Sequence, residues 1–126
     1  MIHLQEVHFY LADKKGNKLV FVTEIQKADN GQFSAWTCEP RALPESSFTN
    51  IGQSPLNDMF DVAVEAVDAL INNINTYAGK NDLVFLKVNN PCNCEFVSVD
   101  EQKELLNKNN INAQVTVNNP PTLEAP

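Results

Sequence analysis

The sequence predicts an α+β domain with the element order β-β-β-α-β-α-β: a mixed five-stranded sheet covered by one long and one short helix. Three observations predict it. Apolar and polar residues alternate from His3 to Ala12, and a segment dense in β-branched and aromatic residues and then a hairpin signal follow, the pattern of strands joined by turns. Apolar residues then recur every three or four positions between 54 and 79, as on one face of a helix. A capping box opening at Ser98, followed by strict alternation from Ile111 to Val117, predicts a last helix and a last strand.

From His3 to Ala12, Val7, Phe9 and Leu11 alternate with Glu6, His8 and Tyr10, which predicts a strand with one apolar face. Asp13 to Asn17 reads as a turn. Lys18 to Gln26 is a second strand, dense in Val20, Phe21, Val22, Thr23 and Ile25. Asn30-Gly31 is a strong hairpin signal, because both residues tolerate positive φ, and a third strand follows from Gln32 to Cys38. These three strands should form an antiparallel meander. Trp36 and Tyr10 are expected to pack under the second helix; the alternative is an exposed aromatic pair on the polar face of the sheet, where such residues anchor interfaces.

Residues 39–53, with Pro40, Arg41, Pro44 and Glu45, form a loop long enough to mark a functional segment. The long helix is expected from Ser54 to Gly79. Ser54 suits the N-cap, Pro55 the first helical position, and Gly79 the left-handed residue that ends a helix. Leu56, Met59, Phe60, Ala63, Val67, Leu70, Ile71, Ile74, Tyr77 and Ala78 form its apolar stripe, over roughly 35 Å. Beside the stripe, Asp58, Asp61, Glu65 and Asp68 fall at steps of three and four and form one acidic ridge. No Lys or Arg lies between Arg41 and Lys80 to pair with it.

Asp82 to Val88 is a fourth strand. Its run Leu83-Val84-Phe85-Leu86 is apolar without alternation, which suits a central strand covered on both faces and paired with a parallel neighbour. Asn89 to Cys94 is an irregular loop, with a short extended piece at Glu95-Phe96-Val97. Ser98-Val99-Asp100-Glu101 caps a short helix reaching about Asn109, with Leu105 and Leu106 turned inward. Ile111 to Val117 is a half-buried edge strand. Residues 1–117 thus make one domain, and 118–126, with three prolines, a flexible tail.

The chain of 126 residues carries a net charge of -7. That balance argues against direct nucleic-acid binding, which needs a Lys/Arg footprint; it fits a basic partner or an imitation of nucleic acid, and plain solubility explains it equally well. No apolar run is long enough to span a bilayer, and the first residues lack a basic stretch followed by an apolar one. The expected location is therefore cytoplasmic, with no membrane contact. Edge pairing through Ile111 to Val117 makes a homodimer possible.

Cys92-x-Cys94, with Cys38, His3 and His8, lacks the two-to-four-residue spacing and second pair of structural zinc sites, so no metal is expected. With two histidines, both on the first strand, no Ser/His/Asp or Cys/His set assembles, and the four scattered glycines make no phosphate loop. No cofactor and no catalytic residue is expected.

Two resemblances add to this reading. The element order is similar to that of the RNase H-like fold. Residues 18–75 resemble HicB-type antitoxins: a strand end and turn from Ile25 to Gly31, then Phe33-Ser34-Ala35, the loop Glu39-Pro40-Arg41-Ala42-Leu43-Pro44, and Ser54-Pro55 before Glu65-Ala66-Val67. The second resemblance implies a protein that binds and neutralises a partner. Nothing after residue 82 looks like the DNA-binding tail that such antitoxins often carry.

The expected function is a non-enzymatic acidic protein that binds a basic protein partner through Asp58, Asp61, Glu65, Asp68, Arg41, Glu45 and Trp36. One alternative is a degenerate RNase H-like nuclease holding divalent ions with Glu6 and Glu65. The other is a nucleic-acid mimic that inhibits a DNA-binding protein.

Overall fold

The computed structural model describes residues 3–38, 40–42, 54–91 and 94–117. They form one mixed sheet with two helices on one of its faces. Its strands are β1 (His3–Ala12), β2 (Lys18–Lys27), β3 (Phe33–Thr37), β4 (Arg41–Ala42), β5 (Ser54–Phe60), β6 (Val84–Asn90) and β7 (Gln114–Val117). The helices are α1 (Ala63–Lys80) and α2 (Val99–Lys108). The spatial order is β5-β3-β2-β1-β6-β7, with the short β4 also paired to β2.

The first three strands form the expected antiparallel meander, with Phe9 opposite Phe21 and Ile25 opposite Ala35. The β2–β3 turn uses Asn30-Gly31, but only Gly31 takes positive φ, at 88°. Gly31 N–H donates to Ala28 O and Ala28 N–H to Gln32 O, a type I turn closed by a glycine bulge rather than a two-residue turn.

The expected long helix is corrected at its start. Ser54–Phe60 is a strand, antiparallel to β3, and α1 begins only at Ala63. Leu56 and Phe60, which fit a helical stripe by spacing, fit a strand face equally well and pack against the core from β5. Edge pairing with β3 satisfies backbone groups along this stretch, and Pro55 is tolerated because the strand is an edge. Ser54 is therefore no N-cap. Val62 occupies that position with no side-chain hydrogen bond.

The helix end is corrected too. Gly79 lies inside α1, and the left-handed residue is Asp82, at φ 54°. Leu83 N–H returns to Ala78 O at 2.9 Å, closing the helix. The same device ends α2: Asn110 stands at φ 59°, and Ile111 N–H reaches Leu106 O at 2.9 Å.

After α1 the chain returns as β6, antiparallel to β1 and parallel to β7. The fourth expected strand thus has its parallel neighbour, in a sheet of seven strands rather than five. It is not covered on both faces: Val84 is 62% exposed and Leu86 39%. Residues 95–97 are bends rather than an extended piece. The capping box of α2 is present in full, and Leu105 and Leu106 are buried as expected. β7 is an edge strand as expected, but it begins at Gln114 rather than Ile111.

One core joins the layers. Val7, Phe9 and Leu11 of β1 and Phe21 and Ile25 of β2 meet Ala66, Val67, Leu70, Ile71 and Ile74 of α1 and Leu105 and Leu106 of α2. Where β1, β6 and α2 converge, three amides replace apolar packing. Gln5, Asn90 and Gln102 are each at most 1% exposed. Gln5 Oε1 accepts from Phe96 N–H at 2.7 Å and Val97 N–H at 2.9 Å, while its amide donates to Val97 O and Asn90 Oδ1. Asn90 donates to Gln102 Oε1 and Thr116 O and accepts from Gln102 Nε2. Every donor of the three side chains is engaged, which is the condition for keeping polar groups in a core. This network straps the segment before α2 onto the sheet.

No helix among the described residues is long and apolar enough to cross a membrane. The expected tail, 118–126, lies outside the described residues, as do residues 43–53 of the expected loop. Of that loop, Arg41–Ala42 forms β4.

Candidate functional site

The alternation that sends Val7, Phe9 and Leu11 into the core sends Leu4, Glu6, His8 and Tyr10 to the face that carries neither helix. Strand register extends this division across the sheet. Glu6 stands opposite Glu24, Glu24 opposite Trp36, and Trp36 opposite Pro55. One row along, Leu4 stands opposite Gln26, Gln26 opposite Ser34, and Ser34 opposite Met59. These two rows form a patch at the end of the sheet where β1 begins and β5 ends.

The patch mixes apolar bulk with negative charge. Leu4 is 41% and Met59 46% exposed, and Trp36, Glu6 and Glu24 are half-buried. Its polar groups are held in place locally. Trp36 Nε1 donates to Ser34 Oγ at 2.9 Å, and Gln26 Nε2 to Glu24 Oε1 at 2.6 Å. Glu6 Oε2 lies 3.6 Å from His8 Nε2. That contact holds the Glu6 carboxyl below its ordinary pKa, against the opposing effect of burial. Two carboxylates directly opposed on neighbouring strands repel one another, so stability alone does not account for the Glu6–Glu24 pair.

Beyond this patch the same face closes. Val20, Val22 and Cys38 are buried as a second small cluster with Tyr10 against it. Val22 N–H donates to Cys38 Sγ at 3.1 Å. Lys87 Nζ lies 5.0 Å from the centre of the Tyr10 ring. Trp36 and Tyr10 are thus not under the second helix, as expected; both stand on the helix-free face, because their parity along the strands is opposite to that of the core residues.

The expected acidic ridge does not exist as a helix face. Asp58 is an exposed residue of β5, Asp61 lies in the bend before α1, and only Glu65 and Asp68 are helical. Asp61 accepts from Gln32 Nε2 at 3.2 Å. Asp68 is met by Lys108 Nζ at 3.2 Å and Asn109 Nδ2 at 3.3 Å, so its basic partner comes from α2 rather than from one turn along α1. Glu65 is exposed. Arg41 stands opposite Val20 in β4, and Glu45 lies outside the described residues.

The nuclease constellation is not assembled either. Glu6 points to the helix-free face and Glu65 sits on α1, across the sheet from it. Asn89 and Asn90, at the end of β6, divide between the two faces, with Asn90 inside the amide network. Among the described residues, no group of three or more His, Cys, Asp or Glu could hold a metal ion. Cys94 is half-buried, and burial raises its thiol pKa; Cys92 lies outside the described residues. A groove of about 490 Å³ between α1 and the ends of β2 and β3 is lined by Phe21, Thr37, Cys38, Pro40, Asn73 and Tyr77, with no converging acid and base.

Sequence reasoning missed Leu4, Glu24, Gln26 and Met59. A signal for the first three was present. The turns at 13–17 and 28–32 fix how β1, β2 and β3 align, and that alignment places Glu6, Glu24 and Trp36 in line. Met59 could not be found so, because its segment read as helix. No protein-family model, no curated protein and no solved structure matches this chain.

Proposed function

We propose that this chain is a non-enzymatic interaction protein that binds and neutralises or regulates a basic macromolecule, as the HicB-type antitoxins it resembles in part would imply. The contact surface we assign is the patch on the helix-free face, in place of the helix ridge. One observation carries the reading: a half-buried Trp36 in line with the opposed Glu24 and Glu6, flanked by exposed Leu4 and Met59. Apolar surface around an indole gives affinity, and two carboxylates opposed on neighbouring strands select a cationic partner. The net charge of -7 would speed encounter with such a partner at low salt.

The test is capture of partners from host lysate by tagged protein, at low and high salt, with three baits. Wild type should retain one basic protein at low salt and release it at high salt. Glu24→Lys with Trp36→Ala should lose it; loss of a Trp anchor alone typically costs about 2 kcal/mol, roughly thirtyfold in Kd. A bait with Asp61, Glu65 and Asp68 changed to Lys should still bind. Loss by the third bait and retention by the second would return the site to the acids around α1. Retention by both would remove both surfaces from consideration.

A further inference from the structure

We propose that Asn30 is a site of spontaneous deamidation in this chain, and that the β2–β3 turn gates the reaction. Of the many asparagines, Asn30 alone precedes a glycine. The reaction needs the backbone nitrogen of residue 31 to attack the side-chain carbonyl carbon of residue 30. Glycine leaves that nitrogen uncrowded, having no side chain to hinder approach. Here the space is open: a Cβ placed on Gly31 would meet nothing within 4 Å. Asn30 and Gly31 are both exposed, so water reaches them.

The bonds balance as follows. The deprotonated Gly31 nitrogen forms a bond to Asn30 Cγ. The Cγ–Nδ2 bond breaks, and the nitrogen departs as ammonia with protons from solvent. Water then opens the five-membered imide at either carbonyl. Opening at one side leaves aspartate at position 30. Opening at the other leaves isoaspartate, with one extra methylene in the main chain. Either product adds a negative charge beside Asp29.

The folded turn restrains each participant. Gly31 N–H donates to Ala28 O at 3.0 Å, so the nucleophile's proton is held. Asn30 Oδ1 accepts from Gln32 N–H at 2.9 Å, and Nδ2 donates to Gln32 Oε1 at 3.1 Å, so both ends of the carboxamide are pinned over the glycine. Attack therefore requires the turn to open first, and the rate measures that local opening. The consequence reaches the sheet: an extra main-chain methylene in this turn shifts the register that sets Ser34 and Trp36 opposite Gln26 and Glu24.

The experiment is peptide mapping by mass spectrometry, with fragmentation that separates isoaspartate from aspartate, on protein aged at mildly alkaline pH. Four samples are followed: wild type folded, wild type in urea, Gln32→Ala folded, and Gly31→Ala in urea, where strain at positive φ has no influence. Folded wild type should convert at position 30 before any other asparagine, and more slowly than in urea. Gln32→Ala should move the folded rate toward the urea rate, and Gly31→Ala should lose most of the conversion. Earlier conversion elsewhere, or none at position 30 once the urea sample is spent, overturns the site. Equal folded and unfolded rates overturn the gate.

Discussion

Between β6 and α2, the described side chains of Asn90, Ser98, Glu101 and Gln102, with Gln5 of β1, are hydrogen-bonded. Ser98 Oγ accepts from Glu101 N–H at 3.1 Å, Glu101 Oε1 accepts from Ser98 N–H at 2.9 Å, and the Gln5–Asn90–Gln102 amides strap down residues 96 and 97. Between β5 and α1 the chain turns at Asp61 and Val62, where no side chain caps the helix and Val62 is 51% exposed. Both junctions deliver a helix to the same face of the same sheet. One does so with local hydrogen bonds at the helix start, the other mainly with the apolar stripe of α1, beside the Gln32–Asp61 hydrogen bond. A helix start can thus be set chiefly by what the helix packs on, with no side-chain cap and only Glu65 in the first turn as a local signal.

The sharpest way to break the first junction is to empty its centre. Gln5→Leu should leave the buried Val97 N–H and the part-buried Phe96 N–H without an acceptor, at a cost of about 3 kcal/mol. Urea unfolding followed by circular dichroism would measure it. A cost below that of an ordinary surface change would mean that water replaces the glutamine. Next in size, Ser98→Ala should remove about 1 kcal/mol through loss of the α2 cap.

The second junction should respond in the opposite direction. Val62→Asp places a capping carboxylate at the bare start of α1 and removes an exposed apolar side chain. A gain of somewhat under about 1 kcal/mol is expected, seen as a higher urea midpoint. No gain would show that the extended backbone at Val62 cannot present a side chain to the first turn.

The smallest effect concerns acid. The pKa of Glu6 is lower in the folded chain than in the unfolded one, through His8. Its contribution to stability is therefore complete above the ordinary carboxylate value and is lost as pH falls through the lowered one. Glu6→Gln should flatten that part of the stability–pH profile. An unchanged acid limb would show that the Glu6–His8 contact adds nothing.

Much of this molecule was legible from local pattern. The meander, α2 with its box, and the alternating last strand rest on residues that interact with near neighbours in sequence. The patch was half legible: Trp36 was named as a contact residue, but its companions Glu24 and Leu4 join it only through pairing across β1, β2 and β3. The acidic ridge misled because Asp58, Asp61, Glu65 and Asp68 share a helical spacing without sharing a helix.

By itself the sequence determined the class of fold, the apolar face of β1, both ends of α2 and the overall negative charge. These follow from side-chain period, turn chemistry and capping, which act over a few residues. Only the tertiary structure decided that Ser54–Phe60 is a strand, that Lys108 answers Asp68, and that three buried amides close the corner at Asn90. Each of those depends on a partner distant in the chain. Leu56 and Phe60 satisfy a helix and a strand equally well until the free edge of β3 offers its hydrogen bonds.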